Sequence, residues 1–185
     1  MATMINTGID VVAFLKEQHE HIKQLFGAVT MSTGDERERE FIALRRLLAV
    51  HETAEEEIVH PAARRALPQG ESLIAARLQE ENEAKTLLAQ LEDLDIDSSE
   101  FSTKLTILER AVLAHASAEE RLEFEQLAGM LDQKQLRHMR MAAEFAEKVA
   151  PTHPHAGLES ATANMLAGPF AAMMDRTRDL FTRKS

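Results

Sequence analysis

The sequence predicts an all-α fold: an up-down-up-down four-helix bundle with a short fifth helix and a C-terminal tail helix. Three observations carry this. The 185 residues are rich in Ala, Leu, Glu, Arg and Met, all good helix formers. There are eight Phe but no Trp or Tyr, and only seven Gly and five Pro to make turns, whereas a β-rich fold draws on aromatic and β-branched residues. Apolar residues recur at three- and four-residue steps through long stretches, the period of a helix with one buried face.

The first helix runs from about Ile9 to Val29, after the cap candidates Asn6 and Thr7. The second follows Thr33-Gly34-Asp35 and runs from about Glu36 to Ala66. Leu67-Pro68-Gln69-Gly70 is a turn, and a third helix spans Glu71 to Leu94. After the short polar link from Asp95 to Ser98, a fourth helix runs from Ser99 to Ala128 and stops at Gly129. Short connections make successive helices antiparallel neighbours. Asp132 caps a fifth helix that reaches about Val149 and is broken by Pro151-Thr152-His153-Pro154-His155. Residues 1–150 therefore form the bundle domain. Residues 151–185 form a tail in which Met165, Leu166, Phe170, Met173, Met174, Leu180 and Phe181 make an amphipathic pattern. The tail is expected to pack on the bundle or on a second copy, giving a homodimer; its polar face is too mixed in sign for a membrane-surface helix.

Composition excludes several functions. With 31 acidic and 21 basic side chains the net charge is −10, which argues against nucleic acid as a partner. No cysteine is present, so disulfides, thiolate metal sites and cysteine nucleophiles are excluded. No apolar run approaches the roughly 20 residues that cross a bilayer. The N-terminus shows no secretory pattern, and the expected location is the cytoplasm. The run Asp35-Glu36-Arg37-Glu38-Arg39-Glu40 reads as a solvated helix start.

Chemistry appears where the apolar stripes are interrupted. The second helix presents Phe41, Leu44, Leu48, His51, Glu55, Ile58 and Ala62 on one face, and the fourth presents Leu105, Leu108, Val112, His115, Glu119, Leu122 and Gln126. The two sets match position for position at an offset of 64 residues, which reads as internal pseudo-symmetry. The first helix carries Val12, Leu15, His19, Ile22 and Phe26, and the third carries Ile74, Leu78, Glu81 and Leu88. Mid-helix positions of a bundle meet at one level. Three imidazoles and two carboxylates there would be costly to bury without a cation, and imidazole with carboxylate suits iron, manganese or zinc. His-x-x-x-Glu places two ligands one turn apart. Two such pairs point to two metals bridged by two carboxylates. The rest of Glu55-Glu56-Glu57 and Glu119-Glu120 reads as solvent-facing. His21 points away from His19, and His138, His153 and His155 lack carboxylate partners at ligand spacing.

The segments VVAFLKEQHEHIKQLF (11–26), LLAVHETAEEEIVHP (47–61) and AHASAEERLEF (114–124) resemble the hemerythrin family, whose members carry an HHE cation-binding domain. The resemblance covers about residues 10 to 150. It implies a four-helix bundle around a non-haem di-iron centre, two iron ions joined by an oxo or hydroxo bridge. Carried over by position, it makes His19, His51 and His115 terminal ligands and Glu55 and Glu119 the bridging carboxylates. The departure lies on the third helix, where such domains place a ligand histidine and this chain has Glu81-Asn82. Glu81 is the first candidate to complete the set, His60 the next and Asn82 the last. On an ideal helix His60 would lie about 140° from Glu55, an objection that distortion by Pro61 would weaken.

The resemblance implies small ligands: hydrogen peroxide, oxygen or nitric oxide. Decomposition of peroxide, catalase-like or peroxidase-like, is the first expectation. Reversible binding or sensing of oxygen or nitric oxide is the alternative, with iron storage behind it. A site rich in carboxylate favours oxidised metal and so turnover over oxygen carriage.

Overall fold

The computed structural model describes residues 9–149, and all of its regular structure is helical. Helix α1 (Val11–Met31) begins where the Asp10 carboxylate accepts the Ala13 N–H at 3.0 Å. Helix α2 (Gly34–Ala54), a π turn (Glu55–Val59) and α3 (His60–Ala66) follow one another as a single rod. Helix α4 (Gly70–Glu92) returns antiparallel to it. Helix α5 (Ser99–Glu119), capped by Ser98 through the Phe101 N–H, continues through a second π turn (Glu120–Phe124) into α6 (Glu125–Met130). Helix α7 (Gln133–Val149) packs across α1 and α2. The four expected rods and the fifth helix are all present; the fourth rod passes Gly129 and ends at Met130. The tail, with His153 and His155, lies outside the described residues.

Two connections are held by close backbone geometry. Gly34 takes φ 56°, a left-handed value that favours glycine, and its N–H reaches both Asp97 carboxylate oxygens at 3.0 and 3.1 Å. At Gly70 a Cβ would lie 2.5 Å from the Ala63 carbonyl oxygen and 2.7 Å from Arg64 Cα. The α3–α4 hairpin closes only over a hydrogen atom.

The core falls into two apolar layers. One contains Ile22, Phe26, Phe41, Leu44, Leu48, Ala84, Phe101 and Val112. The other contains Leu15, Ala54, Val59, Ile74, Phe124, Leu127, Leu136 and Ala143. Each large buried side chain contributes about 1.5–3 kcal/mol. Along every rod, the polar residues of interest fall between the two layers.

The π turns change the register. Up to Glu55 and Glu119 the expected stripes are buried, with His115 half-buried; beyond them the buried face advances by one residue. Val59 and Ala63 are buried while Ile58 and Ala62 are half-buried, and Glu123 and Leu127 are buried while Leu122 and Gln126 are exposed. A π turn closes on i→i−5 bonds and so takes in one more residue than an α turn. The His60 N–H accordingly bonds the Glu55 carbonyl, and the Glu125 N–H bonds that of Glu120. Pro61 favours the first turn because it has no N–H for the Glu57 carbonyl and its ring crowds that group. The second turn contains no proline.

Two charged groups expected in solvent are inside. Arg37 is buried, with its guanidinium 4.9 Å from the Phe101 ring centre and bonded to Ser102 at 3.0 Å. Glu56 is buried because the π turn rolls it toward α4, where it meets Lys85. Glu120 is only partly exposed and reaches the His19 ring. Among the described residues, no helix is long and apolar enough to cross a membrane.

Candidate metal centre

Between the two apolar layers, α1, α2, α4 and α5 direct their mid-helix polar side chains at one point. Two donor groups form there. His19, His51, Glu55 and Glu119 bring one donor atom each to within 4.8 Å of one another, as do Glu55, Glu81, His115 and Glu119. Glu55 and Glu119 belong to both. The individual approaches are short: His51 Nε2 lies 3.2 Å from Glu55, and His115 Nε2 lies 3.1 Å from Glu119. Glu55 and Glu119 are fully buried, and His19, His51 and Glu81 nearly so.

The outer ring nitrogens fix the tautomers. The Nδ1–H groups donate outward: His51 to Gln18 Oε1 at 2.7 Å, His115 to Glu80 Oε2 at 2.8 Å and His19 to Glu120 Oε1 at 2.9 Å. Each Nε2 is thereby turned to the centre, the arrangement that metal-binding histidines use. His19 Nε2 and His51 Nε2 then face each other at 3.1 Å. Neither oxygen of Glu55 or Glu119 has a hydrogen-bond partner. Orphaned buried carboxylate oxygens are costly. A cation held among these oxygens and the facing ring nitrogens would offset that cost. The donor set of imidazole and carboxylate fits iron, manganese or zinc.

The halves are related. Gln18 and His19 stand to His51 and Glu55 as Glu80 and Glu81 stand to His115 and Glu119. Gln18 and Glu80 hold the outer nitrogens of His51 and His115, while His19 and Glu81 enter the two donor groups. Glu81 thus takes in one half the place that His19 has in the other.

A model of the hemerythrin HHE cation-binding domain matches residues 10–127. The chain belongs to this family. Its fold is also similar to the crystal structure of a hemerythrin HHE cation-binding domain-containing protein from Mycobacterium kansasii, with 21% identity, a TM-score of 0.67, and coverage of 76% of this chain and 86% of that one. No curated protein matches the chain significantly. Membership of a cation-binding family implies metal binding, and the His/Glu groups described above lie within the matched segment.

The other candidates of this HHE domain separate clearly. His60 reaches the centre because the first π turn brings it round beneath Glu55. There it is held at both nitrogens, Nδ1 by Glu123 at 2.9 Å and Nε2 by Glu81 at 2.8 Å, and it forms a third group with Glu119 and Glu123. Asn82 is half-buried and outside all three groups, because α4 turns Glu81 inward in its place. His21 and His138 are exposed.

Sequence reasoning missed Gln18, Glu80, Lys85 and Glu123. Gln18 and Glu80 each precede an inward residue by one position, a signal that was available. Glu123 was hidden by the register shift. Lys85, one turn beyond Glu81, is buried with Nζ 2.5 Å from Glu56, 3.4 Å from Glu52 and 3.9 Å from Glu81.

Electrostatics follow from burial and these pairings. Burial drives Glu55 well above the ordinary carboxylate range, and Glu119 beside it adds to the effect. For Glu119 burial acts in the same direction, but the His115 ring overrides it and holds the carboxyl well below that range. Burial and then the neighbouring His19 push His51 well below the usual imidazole range. For His60 and His115 burial is outweighed: Glu123 and Glu81 raise the first and Glu119 the second, both well above that range. Burial lifts Glu52 to about 7 and Glu56 to about 8, and adjoining carboxylates keep Lys85 charged against its own burial.

A cleft reaches the centre. His19, His51, Glu52, Glu55, Glu81 and His115 line its polar part, and Ile22, Leu48, Ala84, Val112 and Ala116 its apolar walls.

Proposed function

We propose that this chain is a non-haem di-iron protein that decomposes hydrogen peroxide, two molecules giving one of dioxygen and two of water, in oxidative-stress defence. The observation that carries the reading is the pair of donor groups sharing Glu55 and Glu119. His19 and His51 would hold one ion, Glu81 and His115 the other, with Glu55 and Glu119 bridging.

A bound iron pair supplies two redox equivalents in one place, which the two-electron chemistry of peroxide needs. The chain's own residues do the rest. Gln18, Glu80 and Glu120 keep the imidazoles aimed. Ile22, Leu48, Ala84, Val112 and Ala116 give the cleft apolar walls, which suit small uncharged ligands. Three carboxylates, Glu55, Glu81 and Glu119, against three imidazoles favour the oxidised metals, which supports turnover. The same apolar walls favour a second reading, reversible binding or sensing of oxygen or nitric oxide.

Iron content and oxygen release on adding peroxide test the proposal. The expected result is about two irons per chain with prompt oxygen release. His51→Ala and His115→Ala should lose both, and His138→Ala neither. Two irons without oxygen release would move the reading to gas binding. No iron after anaerobic ferrous reconstitution would end the di-iron reading.

A further inference from the structure

The two halves of the centre differ at one point, and Lys85 sits there. In the first half, His19 does two things with one ring: Nε2 faces the centre, and Nδ1–H is held by Glu120, the residue after bridging-candidate Glu119. In the second half, the equivalent of Glu120 is Glu56, the residue after Glu55. Glu81 faces the centre but, as a carboxylate, has no N–H to offer Glu56. Lys85 supplies it. Its Nζ donates to Glu56 at 2.5 Å and lies 3.9 Å from the second oxygen of Glu81. The chain of contacts Glu120–His19–centre is matched by Glu56–Lys85–Glu81–centre. One imidazole in the first half thus corresponds to a carboxylate and an ammonium in the second.

We propose that Glu81 and Lys85 together take the place of one imidazole, Lys85 acting as a positioning residue that orients Glu81 and sets the charge beside the second metal position. This rests on the two-metal reading above. The outer oxygen of Glu81 is drawn toward Nζ, leaving the other oxygen to the centre and to His60. The ammonium offsets the negative charge that Glu81 adds where His19 adds none. Without that positive charge the more oxidised state of a neighbouring metal would be favoured, and the reduction potential would fall.

The test uses the full-length, iron-loaded protein and reads iron per chain and midpoint potential by redox titration. Lys85→Met should retain folded protein and lower the potential by at least the 59 mV of a tenfold one-electron shift. Lys85→Arg should stay near the parent. The double variant Glu81→His with Lys85→Met should return toward the parent potential and iron content, because it swaps the pair for the imidazole it replaces. If Lys85→Met does not fold or loses iron, recovery of iron in the double variant supports the proposal and failure to recover it overturns the proposal. An unchanged potential in an iron-loaded Lys85→Met protein also overturns it, leaving the two-metal reading intact. A parent that binds no iron defeats that reading and this inference with it.

Discussion

Gln18 accepts the Nδ1–H of His51 at 2.7 Å while its own amide donates to Glu147 on α7, also at 2.7 Å. The fifth helix therefore reaches the centre through one side chain, and the orientation of His51 depends on it. Glu80 does the same for His115 from the flank of α4. Gln18→Leu and Glu80→Leu should each weaken metal binding about 10–100-fold with the helical fold retained. Competition with a chelator of known affinity measures the loss, and circular dichroism checks the fold. Unchanged affinity in both variants would remove these residues from the account.

The register shift makes a sharp prediction about stability. Leu127 is fully buried and Leu122 is 44% exposed, although an uninterrupted helix places Leu122 on the inner face. Leu127→Ala should cost about 2–5 kcal/mol, and Leu122→Ala should stay within about 0.5 kcal/mol. Denaturant unfolding of the two variants decides the matter. The reverse order would mean that the second π turn is absent in solution.

The metal-free protein should lose stability as pH rises from 6.5 to 8. Burial lifts Glu52 to about 7 and Glu56 to about 8, so the folded chain keeps protons there that the unfolded chain, titrating near 4.5, has released. His60 and His115, raised by their carboxylate neighbours, act in the same sense: their stabilisation is complete below about 6.5 and fades through their higher folded values. His51, lowered by burial, acts in the opposite sense near pH 6.5, where the unfolded ring still holds part of a proton, and its effect fades by pH 8; the four raised groups outweigh it. The native state thus binds more protons throughout, and stability falls with pH. Thermal unfolding at pH 6.5 and 8 reads the sign. Loading metal should flatten the slope, since bound metal displaces those protons.

The helices and the centre were legible in the sequence for different reasons. Helix formers, the 3.6-residue period and short links marked the rods, because burying one face of each helix requires an apolar stripe. The repeat of His51 and Glu55 at His115 and Glu119 marked the centre, because polar groups in a buried stripe need a partner. Glu81 and His19 stood out for the same reason, each interrupting an apolar face.

What lies beyond the two bridging candidates was decided by the tertiary structure. Periodicity assumes unbroken α-helix, and a single added residue in each π turn swings His60 and Glu123 inward and Leu122 outward. Pro61 hints at the first turn; no residue announces the second. Lys85 shows the same limit. Its place among Glu52, Glu56 and Glu81 joins two helices, and a lysine is buried only where carboxylates from elsewhere in the chain surround it. The sequence by itself determined the helical rods, their pseudo-symmetry and the level at which His19, His51, Glu55, Glu81, His115 and Glu119 meet. Their outer partners, and the charge that balances them, depended on contacts between helices, which no local period encodes.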